Sequence, residues 1–308
     1  MKIDQYQSKI IQFQNLELLA NQIVEGFITG MHKSPFHGFS SEFAEHKLYN
    51  NGESTKHVDW KLFAKTDRLY TKQYQEETNM RCHVILDNSS SMYYPILKEN
   101  EPFYHSKIGF SVMATAVLMN LLKKQRDAIG LSVFSDIYEY YVTEKGSDRH
   151  HRMILDVLEQ NLIKPSKAKS TETIKNIHLI AEKMHRRSMI LIFSDLFETS
   201  DTETLVNALQ HLKHNKHKVI LFHVRDKEKE ELFNFDNNPR KFIDVETGEE
   251  INIFAQNIKE NYENNFKDYL KKVKEVCVMN KIKYVSVDVG EDFEKIMTTY
   301  LIEKQKFG

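Results

Sequence analysis

The chain has 308 residues, 41 % hydrophobic and 28 % charged, enough to bury a sizeable core as one large domain or two modest ones. Its 43 basic and 44 acidic residues nearly cancel, which excludes nucleic-acid binding through bulk charge, and 10 Gly with 5 Pro argue against long flexible linkers. Met1–Phe27 mixes Lys, Asp, Gln and Glu among its apolar residues, so neither a signal peptide nor a membrane anchor is expected there. Within it, Leu16, Leu19, Ile23 and Phe27 recur at helical spacing and predict an amphipathic helix over Leu16–Met31. Ser34–Asn51 has no clear period and reads as an ordered loop. Leu69–Gln75 alternates and predicts a half-exposed strand, antiparallel beside the strand through Val84 or at an edge.

From there strands and helices alternate. Cys82–Asp87 is a strand and Ser106–Lys124 a helix; its uncharged run Ile108–Leu122 is too short to span a bilayer and reads as a helix buried against a sheet. Ala128–Ser135 and Ile137–Thr143 form a hairpin around Asp136. Helices follow at Arg149–Asn161 and Thr173–His185, then a strand at Met189–Phe193, a helix at Asp201–His214 and a strand at Lys218–Val224. Arg225–Asn257 breaks this rhythm as an insertion with a short hairpin, Phe242–Val245 against Glu250–Ile253. A strand over Tyr284–Val289 and a helix over Glu291–Leu301 close the chain. The alternation implies an α/β fold: a doubly wound, mainly parallel sheet with helices on both faces.

The most informative residues are Asp87-Asn88-Ser89-Ser90-Ser91, directly after the apolar run Cys82–Leu86. Asp-x-Ser-x-Ser then lies past the carboxyl end of a buried parallel strand, the edge where open α/β sheets bind ligands. A second apolar run, Met189–Phe193, delivers Ser194-Asp195 to the same edge. Carboxylates and hydroxyls without thiol or imidazole suit a hard cation such as Mg²⁺. The bland alternative is a polar turn, since Asp, Asn and Ser bond their own backbone.

Several other residues read as structural. Cys82 and Cys277 are free, half-buried thiols in a reducing compartment. His211, His214 and His217 are spaced by three at a helix end, where cations complement the dipole. His150-His151 belongs to a solvated helix face. Trp60 is a packed aromatic with its indole N–H satisfied, and Asp127 shapes the turn into the next strand. Neither a P-loop nor a dinucleotide fingerprint occurs.

Asp-x-Ser-x-Ser, then Thr171, then Asp195 resembles the metal-ion-dependent adhesion site of von Willebrand factor A domains. More specifically, the chain resembles the domain-of-unknown-function 58 family. That likeness is carried by Gly38-Phe39-Ser40-Ser41-Glu42-Phe43, Tyr49-Asn50-Asn51-Gly52-Glu53, Val58-Asp59-Trp60-Lys61, Ala64–Tyr70, Gln125-Arg126-Asp127 and Asp244–Glu249, and runs from about residue 34 to residue 303. The family pattern has Arg at Lys47, Asp at Glu53, and Gly-Gly-Thr-Asp where Lys169-Ser170-Thr171-Glu172 stands, leaving Thr173 as an alternative to Thr171.

The resemblance implies a helix at 1–33, a family-specific segment at 34–78 packed on the core, and a von Willebrand factor A-like domain at 79–303 with the insertion at about 225–257. It implies metal ligands Asp87, Ser89, Ser91, Thr171 and Asp195, holding Mg²⁺ with Mn²⁺ or Ca²⁺ as alternatives. The protein is expected to be no enzyme but a bacterial protein-interaction module, an adaptor or chaperone-like partner of a MoxR-type AAA+ ATPase. The expected partner is that ATPase or its client, supplying an Asp or Glu carboxylate; nucleic acid and direct membrane insertion are not expected. The expected location is cytoplasmic, peripheral to the inner membrane only through partners. Two other functions fit parts of the pattern: a Mg²⁺-dependent phosphoester hydrolase using Asp87, and a scaffold whose metal loop is degenerate.

Overall fold

The computed structural model describes residues 16–30, 43–49, 58–74, 80–98, 101–135, 138–163, 173–196, 202–236, 238–243 and 249–307. Its centre is a six-stranded sheet of β3 (Arg81–Asp87), β4 (Ala128–Phe134), β5 (Tyr138–Lys145), β6 (Met189–Ser194), β7 (Lys218–Arg225) and β10 (Lys283–Asp288), ordered β10-β7-β6-β3-β4-β5. All neighbours pair in parallel except the edge strand β5, which returns antiparallel from β4. β3, β6 and β7 are almost wholly buried, which explains why they read as unbroken apolar runs rather than alternating ones.

Each face of the sheet carries its own helical layer. On one face, Cys82, Val84 and Leu86 of β3 pack with α3 (Lys107–Lys124), α1 (Leu16–Gly30), α4 (Asp148–Ile163) and α8 (Phe293–Phe307). On the other, Ile85 packs with α5 (Thr173–Lys183), α6 (Thr202–His214) and α7 (Ala255–Met279). The helix α3 is buried from Lys107 through Leu122 because α1 covers the side turned away from the sheet. Its hydroxyls are satisfied within the helix: Ser111 donates to the Lys107 carbonyl and Thr115 to that of Ser111. Each large apolar side chain buried in these layers contributes about 1.5–3 kcal/mol.

The expected doubly wound sheet is present, and several local expectations are corrected. The alternating segment forms β2 (Tyr70–Tyr74), but it pairs with β1 (Phe43–Leu48) in a separate two-stranded sheet. It does not pair with β3, whose two edges are already taken by β4 and β6. The strand β1 falls in a stretch that reads as a loop. Trp60 opens the short helix α2 (Trp60–Thr66) and is 61 % exposed, not packed. Asp59 caps that helix, accepting from the Lys61 and Leu62 N–H groups. His150 and His151 are buried, not solvated; one ring nitrogen of His150 bonds the Ile129 carbonyl. Both cysteines are fully buried, and burial pushes the Cys277 thiol up to about 11.

The insertion holds a hairpin of β8 (Pro239–Ile243) and β9 (Glu250–Phe254), close to the expected one. It also holds a single π-type turn at Lys227–Glu231. The helix α7 then runs from Ala255 to Met279, an element the sequence reading does not delimit.

Candidate metal site at the carboxyl edge of the sheet

Two neighbouring parallel strands end together and carry the chemistry. Asp87 is the last residue of β3, and Ser194 ends β6 next to Asp195. All three are buried, as are Ser89 and Ser91. Asp87 accepts from the Ser89 backbone N–H at 2.9 Å through one carboxylate oxygen and from the Ser194 hydroxyl at 2.6 Å through the other. The Ser89 and Ser91 hydroxyl oxygens lie 3.0 Å apart. The loop is held from behind: Asn88 donates its N–H to the Phe134 carbonyl, and Tyr93 Oη lies 2.6 Å from Asn88 Oδ1. Thus Asp87, Ser89, Ser91 and Asp195 converge on one edge, while Thr171 lies outside the described residues. Thr173 opens α5, and its side chain also lies outside them.

Sequence reasoning missed Lys107. It is the first residue of α3 and fully buried, with its ammonium 2.6 Å from Asp195 Oδ2 and bonded also to Glu230 Oε1. The helix starts there because Ser106 caps it, accepting from the Gly109 N–H. A Cβ at Gly109 would lie 2.0 Å from the Phe103 carbonyl oxygen, so only glycine lets this turn close. Burial alone would pull Lys107 down, but Asp195 and Glu230 reverse that and hold it above the usual lysine range, fully charged. Glu230 belongs to the insertion, where Asp226–Glu231 reads as a solvated charge run; nothing in the sequence singles it out. Lys107 left one trace, as the lone cation at the mouth of an uncharged apolar run.

Burial first, and then the charge of Asp195, push the Asp87 carboxyl up to about 7. His223, on β7, is driven down to about 3 by burial and by Arg225, and stays neutral. One of its nitrogens lies 2.9 Å from the Asp195 carbonyl, which only accepts, so Nε2 carries the proton and Nδ1 accepts from the Tyr284 hydroxyl.

The residues fit a divalent cation. Every side-chain donor from Asp87, Ser89, Ser91 and Asp195 is oxygen, as Mg²⁺ requires. When ionised, Asp87, Asp195 and Glu230 carry three negative charges against the single ammonium of Lys107, so this group is two charges short of neutrality. Among the described residues no group of three or more His, Cys, Asp or Glu could itself hold a metal, so the serine hydroxyls are needed in the set.

A second constellation, also missed, has the atoms of a nucleophilic relay. The His83 ring bonds Ser132 Oγ through Nε2 at 2.6 Å and Glu144 Oε1 through Nδ1 at 2.7 Å, across β3, β4 and β5. The side chains of His83 and Glu144 are sealed from solvent, and Ser132 is fully buried. The arrangement ties three strands together and offers no substrate access as it stands. Of the three spaced histidines, His217 is buried, with Nδ1 accepting from the Ser188 N–H, which makes it part of a turn.

Comparison with known proteins places these residues in a family. The model described as "Protein of unknown function DUF58" matches residues 45–272. An uncharacterized protein of Mycobacterium tuberculosis (strain ATCC 25618 / H37Rv), Rv1480, is 28 % identical over 79 residues, covering 26 % of this chain and 25 % of the relative. The chain thus spans about a quarter of the length of the curated relatives it matches. Among solved structures, the conserved hypothetical protein BatB from Bacteroides thetaiotaomicron is 16 % identical with a TM-score of 0.44, covering 74 % of this chain and 100 % of that one. An aerotolerance-related membrane protein from Bacteroides fragilis NCTC 9343 gives 16 % and 0.46 over the same shares. The SpRpn10 VWA domain gives 13 % and 0.38, covering 71 % and 94 %. These scores lie below 0.5, and the architecture rests on the sheet order and pairing above.

Proposed function

This chain belongs to the DUF58 family, and from that footing we propose that it is a non-catalytic protein-interaction module whose docking point is a divalent cation, Mg²⁺, at the carboxyl edge of the sheet. Asp87, Ser89, Ser91 and Asp195 would hold the ion, with Thr171 as the fifth residue of the set. When bound, the ion supplies an electrophilic point that a partner's Asp or Glu can complete. The observation that carries this reading is the charge balance: buried acids outnumber Lys107 by two beside a pair of hydroxyls.

The chain's own residues set up that surface. Ser194 and the Ser89 N–H fix both oxygens of Asp87, so its orientation is set before any ligand arrives. Lys107 takes one oxygen of Asp195, which weakens that residue as a direct ligand and favours hydroxyls and water around the ion. A site rich in neutral donors leaves the ion short of charge, and an incoming carboxylate then gains more than water can offer. By the family resemblance, the partner is a MoxR-type AAA+ ATPase or its client.

The test is a pull-down from native lysate with Mg²⁺ and with EDTA, using wild type and Ser89→Ala/Ser91→Ala. Partner recovery should require both Mg²⁺ and the two hydroxyls. Equal recovery in EDTA would remove the ion from the mechanism.

A further inference from the structure

The opposite, amino edge of the same sheet carries a different surface. Four helices, α3, α5, α6 and α7, end there and turn into β4, β6, β7 and β10 through residues 123–128, 183–188, 213–218 and 279–283. Each turn places one residue in the left-handed region: Arg126 (φ 61°), Arg187 (φ 62°), Lys216 (φ 60°) and Lys281 (φ 52°). Glycine or asparagine takes that position at least cost, yet all four are cations, and all four are exposed. A cation at a helix carboxyl end gains from the dipole, which explains one such residue at a time.

The rest of these turns is equally basic: Lys124, Arg186 and Lys218 are exposed as well, and the single acid, Asp127, is buried and accepts from the Met80 N–H. Sheet order sets the left-handed cations in a row, Lys281, Lys216, Arg187 and Arg126, with Arg81 opening β3 between the last two. Adjacent strands lie about 4.8 Å apart, so the row is roughly 20 Å long. The turns are laced together: the Arg187 N–H donates to the Asn215 carbonyl, and the Lys213 ammonium reaches the Lys281 carbonyl at 3.4 Å.

One end of the row is apolar. Val278 and Met279, the last two residues of α7, are 76 % and 70 % exposed, and only Asn280 separates them from Lys281. Two large apolar side chains projecting beside a band of cations suit an interface that is anionic at its surface and apolar just beneath it.

We infer that the amino edge of the sheet is a docking face for an anionic phospholipid surface, with the cations on the headgroups and Val278-Met279 inserted shallowly at one end. This is a surface contact and not a span: among the described residues no helix is long and apolar enough to cross a membrane. Docked this way, the protein turns its carboxyl edge, with Asp87 and Asp195, away from the lipid. A nucleic-acid strand would also meet the cations but has no use for an apolar tip.

Co-sedimentation of the full chain with phosphatidylcholine vesicles, and with equimolar phosphatidylcholine–phosphatidylglycerol vesicles, tests this. The wild type is expected to bind the mixed vesicles and not the zwitterionic ones, equally in Mg²⁺ and EDTA. Arg126→Gly/Arg187→Gly/Lys216→Gly/Lys281→Gly removes four charges at positions where glycine fits the backbone, so a melting curve should show it folded. At about fivefold per charge, its affinity should fall at least a hundredfold. Val278→Ser/Met279→Ser should lose the fraction that survives high salt. Binding to both vesicle types alike, no binding to either, or a fully binding glycine variant would overturn the proposal. So would a single-stranded oligonucleotide that binds more tightly than the mixed vesicles and is indifferent to the Val278/Met279 change. Ser89→Ala/Ser91→Ala should sediment as wild type, which separates this face from the metal edge.

Discussion

The two edges of one sheet treat charge in opposite ways. At the carboxyl edge Asp87, Asp195 and Lys107 are buried and Glu230 is nearly so, with Lys107 bonded to Asp195 and Glu230, and Asp87 held by Ser194 and the Ser89 N–H. At the amino edge Arg126, Arg187, Lys216 and Lys281 stand in solvent on tight turns. The helix dipole sharpens the contrast. The amino-edge cations sit at helix carboxyl ends, where the dipole favours them, whereas Lys107 sits at a helix amino end, where it does not. A buried ammonium in that position persists only because carboxylates face it. The difference teaches that surface charge here follows local helix chemistry, while the buried charge at the carboxyl edge marks a site.

The largest effect should come from breaking the buried side of this comparison. Lys107→Met leaves Asp195 and Glu230 without their shared ammonium, and unfolding in urea should show a loss of about 3–5 kcal/mol. Mn²⁺ should restore more stability to this variant than to wild type. A loss below about 1 kcal/mol would mean that the acids are already neutralised by other means.

The sealed relay comes next. His83→Ala strands the buried Glu144 and should cost about 2–4 kcal/mol, with no change in Mn²⁺ affinity. Parallel loss of stability and metal binding would show that the relay and the metal edge are one unit.

A pH series separates two opposing groups at the carboxyl edge. Asp87 is raised to about 7, so its favourable contribution is full below the ordinary carboxylate value near 3.8 and is lost as pH rises through 7. His223 is lowered to about 3, so its contribution is full above 6.5 and is lost as pH falls toward 3. Asp87→Asn removes the first and should make stability fall more steeply between pH 6.5 and 4 than in wild type. An unchanged slope would contradict the raised Asp87. At the exposed edge, by contrast, the four glycine replacements should move stability by only about 1 kcal/mol, because relief of the left-handed backbone offsets the lost dipole contacts.

What sequence made legible follows from the same contrast. Strands buried on both faces read as apolar runs, so β3, β6 and β7 stood out, and Asp87 and Asp195 followed as the acids at the carboxyl ends of two of them. Pairing across long distances did not read out: Lys107 and Glu230 are 123 residues apart, and Glu230 lies in a run with the look of a solvated surface. His150 and His151 misled because neighbouring Arg149 and Arg152 are exposed while the imidazoles turn inward. The strand β1 was hidden because Phe43–Leu48 carries Glu, His and Lys and no clean alternation. The long helix α7 was hidden by its many charged residues; only its last turns carried an apolar signal.

The central claim, that a divalent cation is held at the carboxyl edge, is tested most directly by titrating Mn²⁺ into wild type and Asp87→Ala in a calorimeter at pH 7.5. Wild type should bind one ion and release only a fraction of a proton from the Asp87 carboxyl, which is already mostly ionised at this pH, and Asp87→Ala should bind at least about a hundredfold more weakly. Equal affinities, or a wild type that binds no ion, would contradict the account.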